Sequence, residues 1–450
     1  MTASSFPLAE LLAALSLATD AGNGVPPERT IRMTFLSLRM AGELGLDDRD
    51  RSDLYYASLL RFIGCTAFTY EMARMSGNEF SALEAFAQAD DRNPREALHA
   101  IVAAGRGQGA RQRARGIVAN TLGGKRFGEY VVRADCDASA RFARRFGMGQ
   151  GMISILDQVY ERWDGKGAPR ALRGQEISIG ARVLSVSLQA EIFHRLHGTD
   201  AVMEMARRRS GIWFDPDCAS ALERCAAGSL DRIERGSVWD DTLAGEPSPR
   251  ITIGEGGVDD LAEGFADFAD LKSPSLLGHS RGVAHLAAEA GRRFGLPSQD
   301  VTDLRRAALL HDVGRVAVPS LVWEKPGPLS PAEWEQVRLH AYQTERILAR
   351  SAHLDALAPL AGRHHERLDG GGYHRGARAS DISSAARILA AADVYQALTE
   401  SRPHRPAFAP EAAVEEIQRE VSSGRLDREA AEAVCSAAGE VLPKLRSAWP

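Results

Sequence analysis

No stretch of eighteen apolar residues occurs in this chain of 450, so the sequence offers no candidate for an α-helical membrane span. Cysteine is scarce and odd in number. Cys65, Cys136, Cys218, Cys225 and Cys435 are widely spaced and form no CxxC, which argues against both a disulfide framework and a zinc ribbon and reads as reduced thiols. Charge of one sign is lacking too: a formal net charge of −5 provides no general attraction to nucleic acid or to an anionic membrane, and neither partner is expected. The opening "MTASSFPLAELLAALSLATDAG" has no basic leader and no clear cleavage signal. Ser4 or Ser5 and Pro7, followed by Leu8, Leu11, Leu12, Leu15 and Leu17, predict an amphipathic helix there. A cytoplasmic protein is the expectation.

Long alternating strand patterns are also absent. Apolar residues recur with helical period between short polar turns, so an all-α fold is expected. With 44% hydrophobic and 26% charged residues the composition is that of ordinary globular protein, and the length allows two or three domains. Gly, Pro, Ser and acidic residues concentrate between 226 and 258, the best linker candidate. The expected division is a first domain at 1–225, a linker at 226–258 and a second domain at 259–450.

The two halves are related. "VYERWDGKGAPRALRGQEISIGARVL" in the first parallels "HHERLDGGGYHRGARASDISSAARIL" in the second, with Glu161, Arg162, Asp164, Gly165, Gly167 and Arg182 each 205 residues before Glu366, Arg367, Asp369, Gly370, Gly372 and Arg387. Further upstream the offset is 250, with Leu59, Leu60 and Gly64 matching Leu309, Leu310 and Gly314. The change of offset requires an insertion in the first copy, expected near 75–145.

Metal-ligand residue types cluster in the second copy only: His279, His311, Asp312, His340, His364, His365 and Asp393. Five imidazoles and two carboxylates are too many for one ion. Their counterparts are Arg29 for His279, Arg61 and Phe62 for His311 and Asp312, Val159 and Tyr160 for His364 and His365, and Leu188 for Asp393; His340 cannot be placed. A single buried histidine is more often a hydrogen-bonded core residue than a ligand. Joint loss from the other copy argues that these seven act together. His311 follows Leu304 and Ala307 or Ala308 on an apolar helix face, and a buried imidazole needs a partner. Imidazole-rich ligation suits Fe, Mn, Zn, Co or Ni better than Mg or Ca. Two such ions can clamp both the attacking and the leaving oxygen of a phosphate ester and activate a bridging water. The basic residues Arg315, Lys325, Arg367, Arg402 and Arg405 near the ligands fit an anionic substrate.

On "GHSRGVAHLA", "LLHDVGRVAVP", "KPGPLSPAEWEQVRLH", "HHERLDGGGYHRG", "ARILAAADVYQAL" and "SRPHRPA", the second half resembles the HD-GYP family of HD metal-dependent phosphohydrolases; the first half resembles it in degenerate form. The resemblance implies two HD-type helical domains in tandem and a centre of two divalent transition-metal ions, iron or manganese first, with Zn, Co or Ni as alternatives. It implies hydrolysis of a cyclic dinucleotide, cyclic di-GMP first, by a metal-bridging hydroxide. The seven residues would be ligands. Asp312 and Arg315 would be catalytic, and Arg315, Tyr373, Arg402 and Arg405 would contact substrate. The first domain would sense, dimerise or steady the second, a homodimer being one expectation.

Three departures from the family pattern stand out. Arg315 replaces the usual lysine and cannot release a proton at useful pH. The name-giving tripeptide is Gly372-Tyr373-His374, and His374 could approach the site. Ser275 stands where some members carry a glutamate for a third metal. Two alternatives therefore remain: a cyclic-dinucleotide receptor or scaffold with weak or no turnover, and an HD phosphohydrolase acting on another nucleotide.

Overall fold

The computed structural model describes residues 5–90 and 92–448, with backbone alone from 440 onward. It divides into two compact units, 1–255 and 256–450, and the all-α expectation holds. The sole paired strands among the described residues are two residues each, β1 (Phe6–Pro7) and β2 (Thr252–Ile253), antiparallel with Phe6 opposite Ile253.

The first unit runs α1 (Leu8–Gly22), α2 (Arg29–Glu43), α3 (Asp48–Leu60), α4 (Thr69–Ser76), α5 (Glu79–Gln88), α6 (Pro94–Ala104), α7 (Ala110–Arg145), α8 (Gln150–Asp157), α9 (Ile179–His197), α10 (Thr199–Arg209), α11 (Pro216–Glu234) and α12 (Trp239–Ala244). The second runs α13 (Glu255–Asp270), α14 (His279–Phe294), α15 (Ser298–Leu310), α16 (Ser320–Trp323), α17 (Pro331–Leu348), α18 (Ala358–Ala361), α19 (Ser384–Leu398), α20 (Pro410–Ser422) and α21 (Arg428–Ala448).

Two expectations are corrected. Helix α1 is a core helix, not an amphipathic one: Leu8, Leu11, Leu12 and Leu15 are buried, and so are Ala9, Ala13, Ala14, Ser16 and Ala18 around the rest of its circumference. Residues 226–258 are not a linker. Residues 226–234 are the last turns of α11, Val238, Trp239 and Thr242 are buried, and β2 closes on β1. Glycine and proline there shape turns within the first unit. Its boundary falls at Glu255, where α13 begins.

The duplication is visible side chain by side chain. Asp20 accepts from Thr30 N (3.2 Å) and Thr30 Oγ1 (2.6 Å); 250 residues on, Asp270 accepts from Ser280 N (2.9 Å) and Ser280 Oγ (2.7 Å). Glu161 accepts from the backbone of Arg170 and Leu172, and Glu366 from that of Arg375 and Ala377, each 205 later. Both α2 and α14 follow a left-handed residue, Glu28 (φ 68) and Gly278 (φ 80). Both α3 and α15 have 13 residues and end where the chain turns back.

Glycine at that turn is compulsory in both units. A Cβ on Gly314 would overlap the carbonyl of His340, and one on Gly64 would overlap the carbonyl of Asp135. The close approach therefore pairs Asp135 with His340, 205 residues apart, and supplies the counterpart that the sequence left unplaced. The additional residues of the first copy are accommodated in α5, α6 and the beginning of α7. Replacing Gly314 by Ala is expected to force α17 away from the 313–317 turn and destabilise by about 1–3 kcal/mol. A thermal unfolding midpoint equal to that of the unsubstituted chain would refute this packing.

Candidate metal centre

Five elements of the second unit deliver the seven ligand-type residues to one place. His279 is the first residue of α14; His311 and Asp312 follow the end of α15; His340 lies within α17; His364 and His365 lie in the turn beyond α18; Asp393 lies within α19. All except His365 are buried. His340, His364 and His365 form one group of mutually close ligand atoms, and His279, His311 and Asp312 another. Two carboxylates connect them. Asp312 Oδ1 is 3.4 Å from His340 Nε2 and 3.6 Å from His364 Nε2, while its Oδ2 is 3.0 Å from His311 Nε2 and 3.7 Å from His279 Nε2. Asp393 lies 3.2 Å from His279 Nε2 and 3.6 Å from His365 Nδ1.

The orientation of each imidazole follows from what its other nitrogen meets. His311 Nδ1 donates to Ala308 O (2.6 Å), His364 Nδ1 to Ala361 O (2.7 Å) and His340 Nδ1 to Val337 O, each three residues back. A carbonyl oxygen can only accept, so Nδ1 carries the proton and Nε2 turns a lone pair to the centre. This leaves His340 Nε2 and His364 Nε2 facing each other at 3.0 Å. Burial and neighbouring His311 lower His364 to about 3, so protonation does not relieve the contact. His311 Nε2 and both Asp312 oxygens are buried without a hydrogen-bond partner among the described residues. Burial alone would raise the Asp312 carboxyl, but Arg315 and His311 hold it well below the usual range, as an anion. Converging lone pairs around a buried anion, which Arg315 meets at one of its two oxygens, fit a cation; a purely structural core would leave the remaining acceptors unsatisfied.

His279 differs. Its Nδ1 lies 2.9 Å from Glu400 Oε2, and despite burial Glu400 and Asp393 raise it to about 9. A metal bound here would displace a proton.

The basic residues separate into different roles. Arg315 is buried, with Nη2 2.6 Å from Asp312 Oδ2 and its guanidinium over the Trp323 ring at 4.8 Å. Its Nε and Nη1 have no hydrogen-bond partner among the described residues. Arg402 donates to Glu400 Oε2 (2.7 Å) and Ser275 O (3.1 Å), beside an open groove of about 480 Å³ lined in part by Ser275, Glu324 and Glu400. Arg405 is used otherwise than expected: it donates to the carbonyls of Ala397, Leu398, Glu400 and Pro406, and so caps the end of α19 instead of offering its guanidinium to substrate. Tyr373 sets its ring against His365, centroids 4.7 Å apart. His374 does not join the cluster but faces Glu345 (3.3 Å) and Tyr342. Lys325 pairs with Glu333 (2.6 Å), and Arg367 donates to the carbonyls of His364 and Glu366.

The sequence reading missed Glu400, which orients His279, and Glu324, which accepts from Ser275 N (3.0 Å) at the position expected to lack a carboxylate. Only its place two residues before Arg402 hinted at Glu400. Nothing local marked Glu324.

Comparison with known proteins gives one consistent result. The family model for the HD domain matches residues 141–217 and 263–430, together more than half of the chain. A 3′3′-cGAMP-specific phosphodiesterase of Vibrio cholerae is 28% identical over 408 residues, 90% of this chain and 89% of that protein. A cyclic di-GMP phosphodiesterase of Thermotoga maritima is 37% identical over 150 residues, 33% of this chain and 40% of its own length. The crystal structure of a cyclic GMP-AMP specific phosphodiesterase from V. cholerae shares the fold, with a TM-score of 0.67 over 97% of this chain and 99% of that one at 24% identity. Among the described residues no helix is long and apolar enough to cross a membrane.

Replacing Glu400 by Ala is expected to weaken metal binding about 10–100-fold with the helical content unchanged. Manganese titration of chelator-treated protein reads this directly; wild-type affinity would rule out an orienting role. Manganese at a hundred times its dissociation constant should stabilise the unsubstituted second unit by about 2.7 kcal/mol, whereas an unmoved thermal midpoint would speak against a metal centre.

Proposed function

Because the chain belongs to the HD domain family, as a metal-dependent phosphohydrolase of the HD-GYP type whose first copy is degenerate, we propose that its second unit cleaves a phosphodiester of a cyclic dinucleotide. One observation carries the reading: two groups of three ligand-type residues, buried except for His365 and joined by Asp312 and Asp393, lie beside a buried arginine with unused donors. His279, His311, Asp312, His340, His364, His365 and Asp393 would hold two ions, iron or manganese by donor type. When bound, such ions supply Lewis-acid polarisation of the phosphate and lower the pKa of a water.

The protein's own residues do the rest. Backbone carbonyls fix the protons of His311, His340 and His364 on Nδ1, and Glu400 holds that of His279, so the imidazoles need no reorganisation. Arg315 Nε and Nη1, which lack hydrogen-bond partners among the described residues, would take phosphate oxygens, and Arg402 borders the groove by which a nucleotide would approach. As a guanidinium, Arg315 neutralises charge without giving up a proton. The Tyr373 ring supplies an apolar edge for the substrate.

The relative that matches along nearly the whole chain is named for 3′3′-cGAMP, which supports that substrate ahead of cyclic di-GMP, the first expectation from sequence. Cytoplasmic location is the setting in which such a substrate would be met. A second reading, a receptor that binds without turnover, is favoured by one contact, the Arg315–Asp312 ion pair, which engages an oxygen that a metal also needs.

Hydrolysis of 3′3′-cGAMP and cyclic di-GMP by manganese- or iron-loaded protein under reducing conditions tests these readings. Linear product is expected. Tight binding without product would replace the enzyme reading by the receptor reading. Asp312→Ala is expected to lose metal and hydrolysis together while staying folded; full turnover by that variant would sink the assignment.

A further inference from the structure

Where the second unit holds its seven ligands, the first holds a cavity of about 310 Å³. Arg29, Arg61, Phe62, Val159, Tyr160 and Leu188, the counterparts of His279, His311, Asp312, His364, His365 and Asp393, all line it. The loss of ligands has thus left an open space with a changed character. Two of its buried cations, Arg29 and Arg61, stand where histidines stood, so a metal ion is not what this space would attract.

Arg29 is only 5% exposed; its Nε lies 3.5 Å from Asp20, yet neither Nε nor Nη2 makes a hydrogen bond among the described residues. Arg61, 3% exposed, donates from Nη1 to Asp135 Oδ2 (2.8 Å), and its Nε has no partner among them. Aromatic rings lie against both, Phe62 with its centroid 3.5 Å from the Arg29 guanidinium carbon and Tyr160 4.7 Å from that of Arg61. Arg92, Arg162 and Arg195 also line the space. Glu84 is the one carboxylate in the lining among the described residues; Asp20, Asp90 and Asp135, which partner these cations, stand outside it. The remaining wall is apolar and aromatic, including Phe68 and Trp213. Buried guanidinium donors without acceptors call for an anion of fixed geometry, and phosphate oxygens match that fork. An apolar wall with aromatic rings suits a nucleobase.

We propose that the first unit binds a nucleotide phosphoester in this cavity without cleaving it, phosphate against Arg29 and Arg61 and the base on the aromatic side. The anion site stands on the cavity alone; the choice of a nucleotide also rests on the reading of the second unit, whose substrate space the duplication repeats.

Photolabelling of the full-length, chelator-treated Asp312→Ala chain with 8-azido-GMP and 8-azido-AMP tests this. Adducts are expected on peptides covering 62–68, 159–168 or 213, suppressed by unlabelled cyclic di-GMP or 3′3′-cGAMP. Arg29→Met should weaken labelling about tenfold or more, and Leu188→Trp, which fills the cavity and leaves the ion pairs intact, should abolish it. Adducts confined to the second unit, or labelling indifferent to Leu188→Trp in folded protein, overturn the proposal. Labelling without cyclic-dinucleotide hydrolysis by the unsubstituted enzyme would remove only the substrate reading; hydrolysis without labelling would remove only this one.

Discussion

Lone pairs directed into a buried space dominate the second unit. Three imidazoles donate their Nδ1–H to carbonyls three residues back in their own chain, so their Nε2 lone pairs converge on the carboxylate oxygens, of which Arg315 meets one, Asp312 Oδ2. Such an assembly is repulsive by itself and becomes favourable around cations. Much of the surrounding architecture serves this constraint. Gly314 allows α17 to approach closely enough for His340 to reach Asp312, and the α19 helix is alanine-rich where it carries Asp393 into the core.

The first unit shows the same frame with the repulsion removed. Asp135 occupies the position of His340, but Arg61 and the Tyr160 hydroxyl donate to it at 2.8 and 2.7 Å. A carboxylate that would have faced a metal is satisfied by a guanidinium. The supporting contacts of the frame, Asp20 on Thr30 and Glu161 on the 170–172 backbone, persist because they hold the fold and take no part in the chemistry. The ligand-type residues have therefore separated from the supporting contacts between the two copies, which keep the second set in common and differ in the first.

Much of the candidate site was legible in the sequence. All seven ligand types come together: His279, His340 and Asp393 from helix faces, and His311, Asp312, His364 and His365 from the turns that follow α15 and α18, the last two immediately before the shared ERxDGxG. Arg405 was misread because its function depends on which carbonyls are left open at the end of α19. Residues 226–258 were misread because glycine and proline mark turns equally well inside a unit and between units. The counterpart of His340 was recoverable: carrying the 205-residue offset back through the insertion leads to Asp135.

The sequence by itself determined the helical class, the internal duplication and which seven ligand-type residues stand in one copy alone, because these depend on periodicity and spacing along the chain. Tertiary structure alone decided that Glu400 orients His279 across 121 residues, that Glu324 reaches Ser275, and that the vanished ligands of the first copy leave a cavity rather than a filled core. The reason is physical: period and spacing act within a few turns of backbone, whereas these outcomes depend on which side chains packing brings within about 3 Å of each other, between segments that share no local pattern.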